Sequence, residues 1–164
     1  MLPAHFLTDN SPLRGGHAAA AIIVTEDNRY LLQLRDDIPN IYYPGHWGCF
    51  GGAMDEGEAP LQALKRELEE ELEFSPDAGA EFTRIDFDLT HLGQGRYLRA
   101  YYEFTVSAER IAGFVLHEGT AMRAFTAQEL FALPYVTPYD SFALWLHSAR
   151  HRFAPGRSAS EQIR

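Results

Sequence analysis

The stretch GGAMDEGEAPLQALKRELEEEL, residues 51–72, constrains the fold of this chain more than any other. At about 100° per residue, Leu61, Leu64, Leu68 and Leu72 fall on one stripe of a helix, and that stripe is its core face. Pro60 suits the first helical position, where a missing N–H is not needed. Ala59 before it is a poor N-cap, since it offers no side-chain acceptor. The pattern predicts a helix from Pro60 to near Leu72, about 20 Å long at 1.5 Å per residue. Glu67, Glu69, Glu70, Glu71 and Glu73 crowd its C-terminal end. The helix dipole leaves that end partly negative, and like charges at i,i+3 or i,i+4 cost roughly 0.2–0.5 kcal/mol per pair. Something should offset this, and a bound cation is one candidate.

Sorting the glutamates by helix face separates them into two populations. Glu67, Glu70 and Glu71 share an arc about 100° wide beside the leucine stripe. Glu69 and Glu73 fall opposite, with Gln62 and Lys65, and Lys65–Glu69 is an expected i,i+4 ion pair. An acidic helix taken alone is more often a solvated face than a metal site. The context shifts the balance: Gly51-Gly52 allows close approach of backbone to a ligand, Glu58 precedes the helix, and Arg66 adjoins the cluster. Three carboxylates within a turn and a half offer hard oxygens suited to Mg²⁺ or Mn²⁺, ions that complete their shell with water and substrate phosphate. Arg66 can hold Glu70 at i+4, or Glu58 in the loop, through a fork-like pair.

The rest of the chain supplies strands. Residues 17–25 and 29–35 read as strands joined by the turn-forming EDN. A short strand fits at 47–50, and further strands fit at 81–89, 96–107 and 122–125. In the strand at 81–89, Phe82, Ile85, Phe87 and Leu89 carry the apolar pattern. Thr126 and Glu129 form a capping-box pattern that opens a helix. The closing helix, within 137–151, carries Phe142, Leu144, Trp145 and Leu146. Interleaved strands and helices with hairpin turns predict an α/β sandwich, with helices on both faces of a mixed sheet.

With 164 residues, 46% hydrophobic, the chain suits one domain. Its net charge of −9, without a basic stripe, argues against nucleic-acid binding. Cys49 is the only cysteine, so neither an intrachain disulfide nor a cysteine-based zinc site is available. The N-terminus lacks signal-peptide character, and no apolar run approaches a membrane span, so no membrane partner and a cytoplasmic location are expected. The last residues, APGRSASEQIR, are expected to be a loose tail.

Gly52, Glu58, Arg66, Glu67, Leu68, Glu70 and Glu71 fall at the places of the pattern G-x5-E-x7-R-E-U-x-E-E-x-G-U, with U aliphatic. In this the chain resembles the Nudix hydrolases. One position departs: Glu73 stands where the motif has glycine, followed by Phe74. The flanks LLQLR, PGHWGCFGG and MRAFTAQEL also look Nudix-like. The resemblance thus covers residues 17–148 of a single domain spanning 1–164, with looser tails. It implies a Nudix-type α/β/α sandwich and Mg²⁺-dependent attack of water on a diphosphate, often one attached to a nucleoside. It further implies that Glu67, Glu70 and Glu71 bind metal with the Gly52 carbonyl as a further ligand, and that Arg66 and Glu58 form an orienting pair.

Other residues are weighed beside these. Glu118 sits in a loop where some Nudix enzymes carry a general base or an extra metal ligand, although a loop glutamate is as often only solvated. Arg35 ends a strand and could reach a phosphate or form a surface ion pair. Trp47 and Phe50 could stack on a base, as could Tyr42 and Tyr43, but aromatics at such spacing are more often core. Cys49 raises the isopentenyl diphosphate isomerases, which share the fold and use a cysteine; a buried apolar cysteine is the better reading. The expected ligand is a nucleoside triphosphate or a nucleoside diphosphate joined to a small group, rather than capped RNA. A nucleotide-binding sensor without catalysis is the alternative, and a homodimer is left open.

Overall fold

The first strand explains the layering. In the computed structural model, which describes residues 16–39, 41–93 and 95–153 (Leu92 by its backbone alone), β1 spans Ala18–Thr25 and is buried along nearly its whole length. Ala19, Ala21 and Ile23 face one core, and Ala20, Ile22 and Val24 face the other. A run that is apolar at every position, rather than at alternate ones, belongs to a strand covered on both sides. The remaining elements follow as β2 (Tyr30–Leu34), β3 (Trp47–Gly48), α1 (Pro60–Leu72), β4 (Ala80–Asp88), β5 (Arg96–Val106), α2 (Ala108–Ala112), β6 (Ala121–Phe125), α3 (Ala127–Ala132) and α4 (Pro138–Ser148). The tail at 154–164 lies outside the described residues.

The six strands form one sheet in the order β3-β2-β1-β5-β4, with β6 on the other edge of β2. Only β1 and β5 run parallel; the other ladders are antiparallel. The mixed α/β/α sandwich expected from the sequence is what forms. One core lies between the sheet and α1, where Leu64, Leu68 and Leu72 meet Ala19, Ile23 and Phe50. The second lies between the sheet and α3 and α4, around Tyr101, Phe125, Leu130 and Leu144.

β1 and β2 pair only at Ile23–Leu31 and Val24–Tyr30, then diverge. The segment after β3 enters the gap. Ala21 N–H donates to the Phe50 carbonyl at 2.9 Å, and Ala19 N–H donates to the Gly52 carbonyl at 3.0 Å. This wedge carries the double glycine into the interior of the sheet, beside α1. Gly51 has a φ of 117°, and a Cβ there would collide with the Ala19 carbonyl. Only glycine fits this junction.

Several expectations are corrected. The strand at 47–50 ends at Gly48, and the Phe50 backbone pairs with β1 through an isolated bridge to Ala21. A bulge between Glu81 and Thr83 lets Phe82 share a core with Ile85, while Leu89 falls beyond the end of β4. The helix α2, capped by the Ser107 hydroxyl, was not anticipated. In α4 Phe142 and Trp145 are exposed, and Asp140, Ala143, Leu144 and His147 face the sheet instead. Two polar residues occupy that face because partners await them, which hydrophobicity alone does not reveal. Asp140 accepts from Cys49 N–H at 3.0 Å, Thr137 Oγ1 at 2.7 Å and Tyr101 Oη at 3.0 Å, with Arg99 Nη2 at 3.1 Å.

Candidate active site

α1 begins and ends at the residues the pattern indicates. Ala59 contributes no side-chain cap, but its N–H donates to Gln62 Oε1 at 3.1 Å, which supplies half of a capping box. At the far end Glu73 itself adopts the left-handed conformation, with φ 52° and ψ 40°, and Phe74 N–H closes onto the Leu68 carbonyl at 3.1 Å. The helix therefore exits as a glycine would let it, with a side chain attached. The Lys65–Glu69 pair does not form. Lys65 Nζ donates to the Asp77 carbonyl at 2.7 Å, and Glu69 accepts from Ser75 Oγ.

Two carboxylates, Glu71 and Glu67, turn toward the double glycine to different depths, and Glu70 stays outside them. Glu71 is buried, at 4% exposure; Gly51 N–H donates to its Oε2 at 2.9 Å and Gln33 Nε2 to its Oε1 at 3.3 Å. Burial pushes its carboxyl up to about 8 against the two hydrogen bonds, and the charges of Glu118 and Glu67 add to the rise. Glu67 is half-buried and lies against Gly52, where a Cβ would overlap its carboxylate. Burial raises its pKa too, opposed by Arg66 and reinforced by Glu70 and Glu118. Glu70 stands in solvent, its side chain 61% exposed, with Oε2 3.5 Å from Arg66 Nη1.

Arg66 joins these parts. Its Nε and Nη2 donate to the two oxygens of Glu58 at 3.2 and 3.0 Å, Nη2 donates to the Ala53 carbonyl at 3.0 Å, and Nη1 donates to Glu67 Oε1 at 2.7 Å. The forked pair holds the Glu58 carboxyl below its usual value, chiefly through the Arg66 hydrogen bond. Glu118 lies on the loop opposite, exposed, near enough for its charge to raise both Glu67 and Glu71. The structure thus brings Gly52, Glu58, Arg66, Glu67, Glu70, Glu71 and Glu118 to one end of the sheet.

The candidates for substrate contact fare differently. Phe50 is fully buried in the core under α1 and offers no face to a base, so that expectation is withdrawn. Trp47 is half-buried, packed edge-on against Phe125 at 4.8 Å. Arg35 Nε donates to the Tyr42 carbonyl at 2.8 Å. Tyr43 packs against His46 and Tyr139, with ring centroids 5.5 and 5.4 Å away. The Cys49 thiol is buried, and desolvation pushes it well above its usual value, which removes the thiolate an isomerase would need. Gln33 was missed: it sits in a strand that reads as apolar, and only the position of Glu71 across the core gives it a role.

The donor set suits a divalent cation in chemistry, with hard oxygens and a buried carboxylate whose charge a cation would stabilise. It is not a finished cage. Among the described residues no three acidic, histidine or cysteine groups converge as metal ligands. The Arg66 guanidinium engages Glu67 and approaches Glu70, so a cation would take over contacts that Arg66 now makes.

Comparison with other proteins agrees with this geometry. The NUDIX domain profile matches residues 15–146. No curated protein sequence matches significantly. Among solved structures, the MutT protein from Methanosarcina mazei Go1 superposes with a TM-score of 0.67 at 18% identity, over 88% of this chain and 100% of that one. The NUDIX domain of Shewanella oneidensis NrtR, solved with ADP ribose, gives 0.64 at 19% identity, over 94% and 100%. The MutT NUDIX hydrolase from Burkholderia pseudomallei gives 0.60 at 25% identity, over 80% and 97%. With its motif in place and its sandwich shared, the chain belongs to the Nudix hydrolase family.

Proposed function

We propose that this Nudix hydrolase is a Mg²⁺-dependent pyrophosphohydrolase that cleaves the diphosphate linkage of a nucleoside triphosphate or a nucleoside diphosphate derivative, with Mn²⁺ able to substitute. One observation carries the reading. A carboxylate is buried at Glu71, with Glu67 and Glu118 raising it further, beside a backbone that only glycine can form. Metal-free, that arrangement is electrostatically unfavourable, and a divalent cation held by these carboxylates would relieve it.

Glu67, Glu70 and Glu71 would hold the cation, with the Gly52 carbonyl. That carbonyl already accepts from Ala19 N–H at 3.0 Å and keeps one lone pair. A bound Mg²⁺ would neutralise charge on the phosphoryl oxygens and lower the pKa of an attacking water. Gln33 and Gly51 N–H hold Glu71 in place; Glu58 and Arg66 orient Glu67. Glu118 faces the cluster from the opposite loop and is the candidate proton acceptor for the water. Arg35 and Trp47 remain candidates beside the leaving group.

The test is turnover with Mg²⁺ across nucleoside triphosphates, nucleotide sugars, dinucleoside polyphosphates and ADP-ribose. Release of a nucleoside monophosphate or diphosphate product from at least one is expected. Absence of turnover together with tight binding would favour a second reading, a nucleotide sensor. That reading draws on the contacts of Arg66 with Glu67 and Glu70, which leave no preformed cage among the described residues, and on the neighbour solved with ADP ribose.

A further inference from the structure

Glu73 is one of three non-glycine residues with positive φ among the described residues, at 52°. A side chain is disfavoured in that conformation, and an outlier that persists points to a role for the side chain. The Glu73 carboxylate has a partner across the exit of α1: its Oε1 lies 2.8 Å from His117 Nε2. His117 precedes Glu118 in the loop that faces the acid cluster.

That loop is fastened on both sides. On the α1 side, His117 N–H donates to the Glu71 carbonyl at 2.9 Å and Val115 N–H to the Leu72 carbonyl at 3.4 Å. On the sheet side, Thr120 N–H donates to the Leu34 carbonyl at 2.8 Å and Gly119 N–H to Asp36 Oδ2 at 3.3 Å. Gly119, with φ 83°, has no space for a Cβ against the Leu34 carbonyl. The bond from Glu73 to His117 joins two side chains across the α1 side, and it acts on the residue next to Glu118.

We propose that Glu73 is a positioning residue, latching the loop through His117 so that Glu118 stays over Glu67 and Glu71. The role of Glu118 rests on the hydrolytic reading above; the latch itself does not. A glycine at position 73 makes the same turn without conformational cost but cannot reach His117.

The distinguishing variant is therefore Glu73→Gly, compared with Glu73→Gln, which retains a hydrogen-bond acceptor for His117. In the metal-free protein, amide exchange across residues 115–120 should accelerate about 2- to 5-fold in Glu73→Gly, the range of an exposed ion pair, and stay near wild type in Glu73→Gln. Melting temperature should hold or rise in Glu73→Gly, since the strained backbone is relieved. With substrate, kcat should fall by about the same 2- to 5-fold at unchanged KM. In a Glu118→Gln background the fall should vanish. Exchange in Glu73→Gly indistinguishable from wild type overturns the latch, and so does an undiminished fall in kcat when Glu118 is already Gln. Accelerated exchange in Glu73→Gly, in a protein whose wild type hydrolyses nothing, supports the latch and removes the hydrolytic reading alone.

Discussion

Replacing Glu71 by glutamine should change how the metal-free protein responds to pH. The folded carboxyl sits at about 8 against an ordinary 4.5, because it is buried and faces Glu118 and Glu67. Between those values the folded state holds a proton that the unfolded state has released, so stability falls as pH rises. The contribution is fully present below 4.5 and is lost as pH passes through about 8. At about 1.4 kcal/mol per unit of pH, the interval from 4.5 to about 8 sets a ceiling of about 5 kcal/mol. Relaxation and water entry around the charge reduce this to about 2–4 kcal/mol. Glutamine retains the acceptor for Gly51 N–H and carries no charge. In EDTA, urea unfolding from pH 5 to 9 should therefore show wild type losing stability relative to Glu71→Gln, and the two should approach each other near pH 5. Saturating Mg²⁺ should flatten the wild-type decline. Unfolding free energies that run parallel in the two proteins across this range, without metal, would refute the reasoning.

Glu70→Gln should lower kcat by at least ~10², the order of several kcal/mol of transition-state charge, while Glu69→Gln, on the solvated face, should change it little; equal effects in steady-state assays would count against the facial sorting. Gly52→Ala should keep the circular dichroism of wild type but lose on the order of 10² in kcat, because the new methyl displaces the Glu67 carboxylate. Asp140→Ala should cost about 3–5 kcal/mol in urea unfolding, since it leaves the Arg99 charge without its buried partner; a loss below 1 kcal/mol would mean that water reaches Arg99 freely.

The sequence made α1 legible to the residue, because a leucine stripe, an N1 proline and a charge-sorted arc all point to one phase. It made the strands legible to within a residue or two, since β1 is apolar throughout and β5 is long. What it could not show was pairing across distance. Gln33 reads as an interruption in an apolar strand until Glu71 is seen opposite it. Asp140 and His147 read as polar residues on a helix whose apolar face would carry Phe142 and Trp145, yet the sheet presents Arg99 and Tyr101 to Asp140, and Tyr30 and Glu103 to His147, while Phe142 and Trp145 stay exposed. Phe50 was misjudged for a related reason: the wedge that turns it inward depends on where β1 and β2 separate.

That wedge has a mechanical consequence. The double glycine and Phe50 before it are laced by main-chain bonds to Ala19 and Ala21 in the middle strand of the sheet, rather than carried on a flexible excursion. Its geometry therefore cannot melt while the sheet survives, and the acidic centre and the core should lose structure in one cooperative step. In denaturant, loss of activity should coincide with loss of the β1–β5 ladder. Tuning of the enzyme by fraying, such as cold adaptation through softened segments, would have to act through residues 115–120, which are joined to the rest mainly at their two sides.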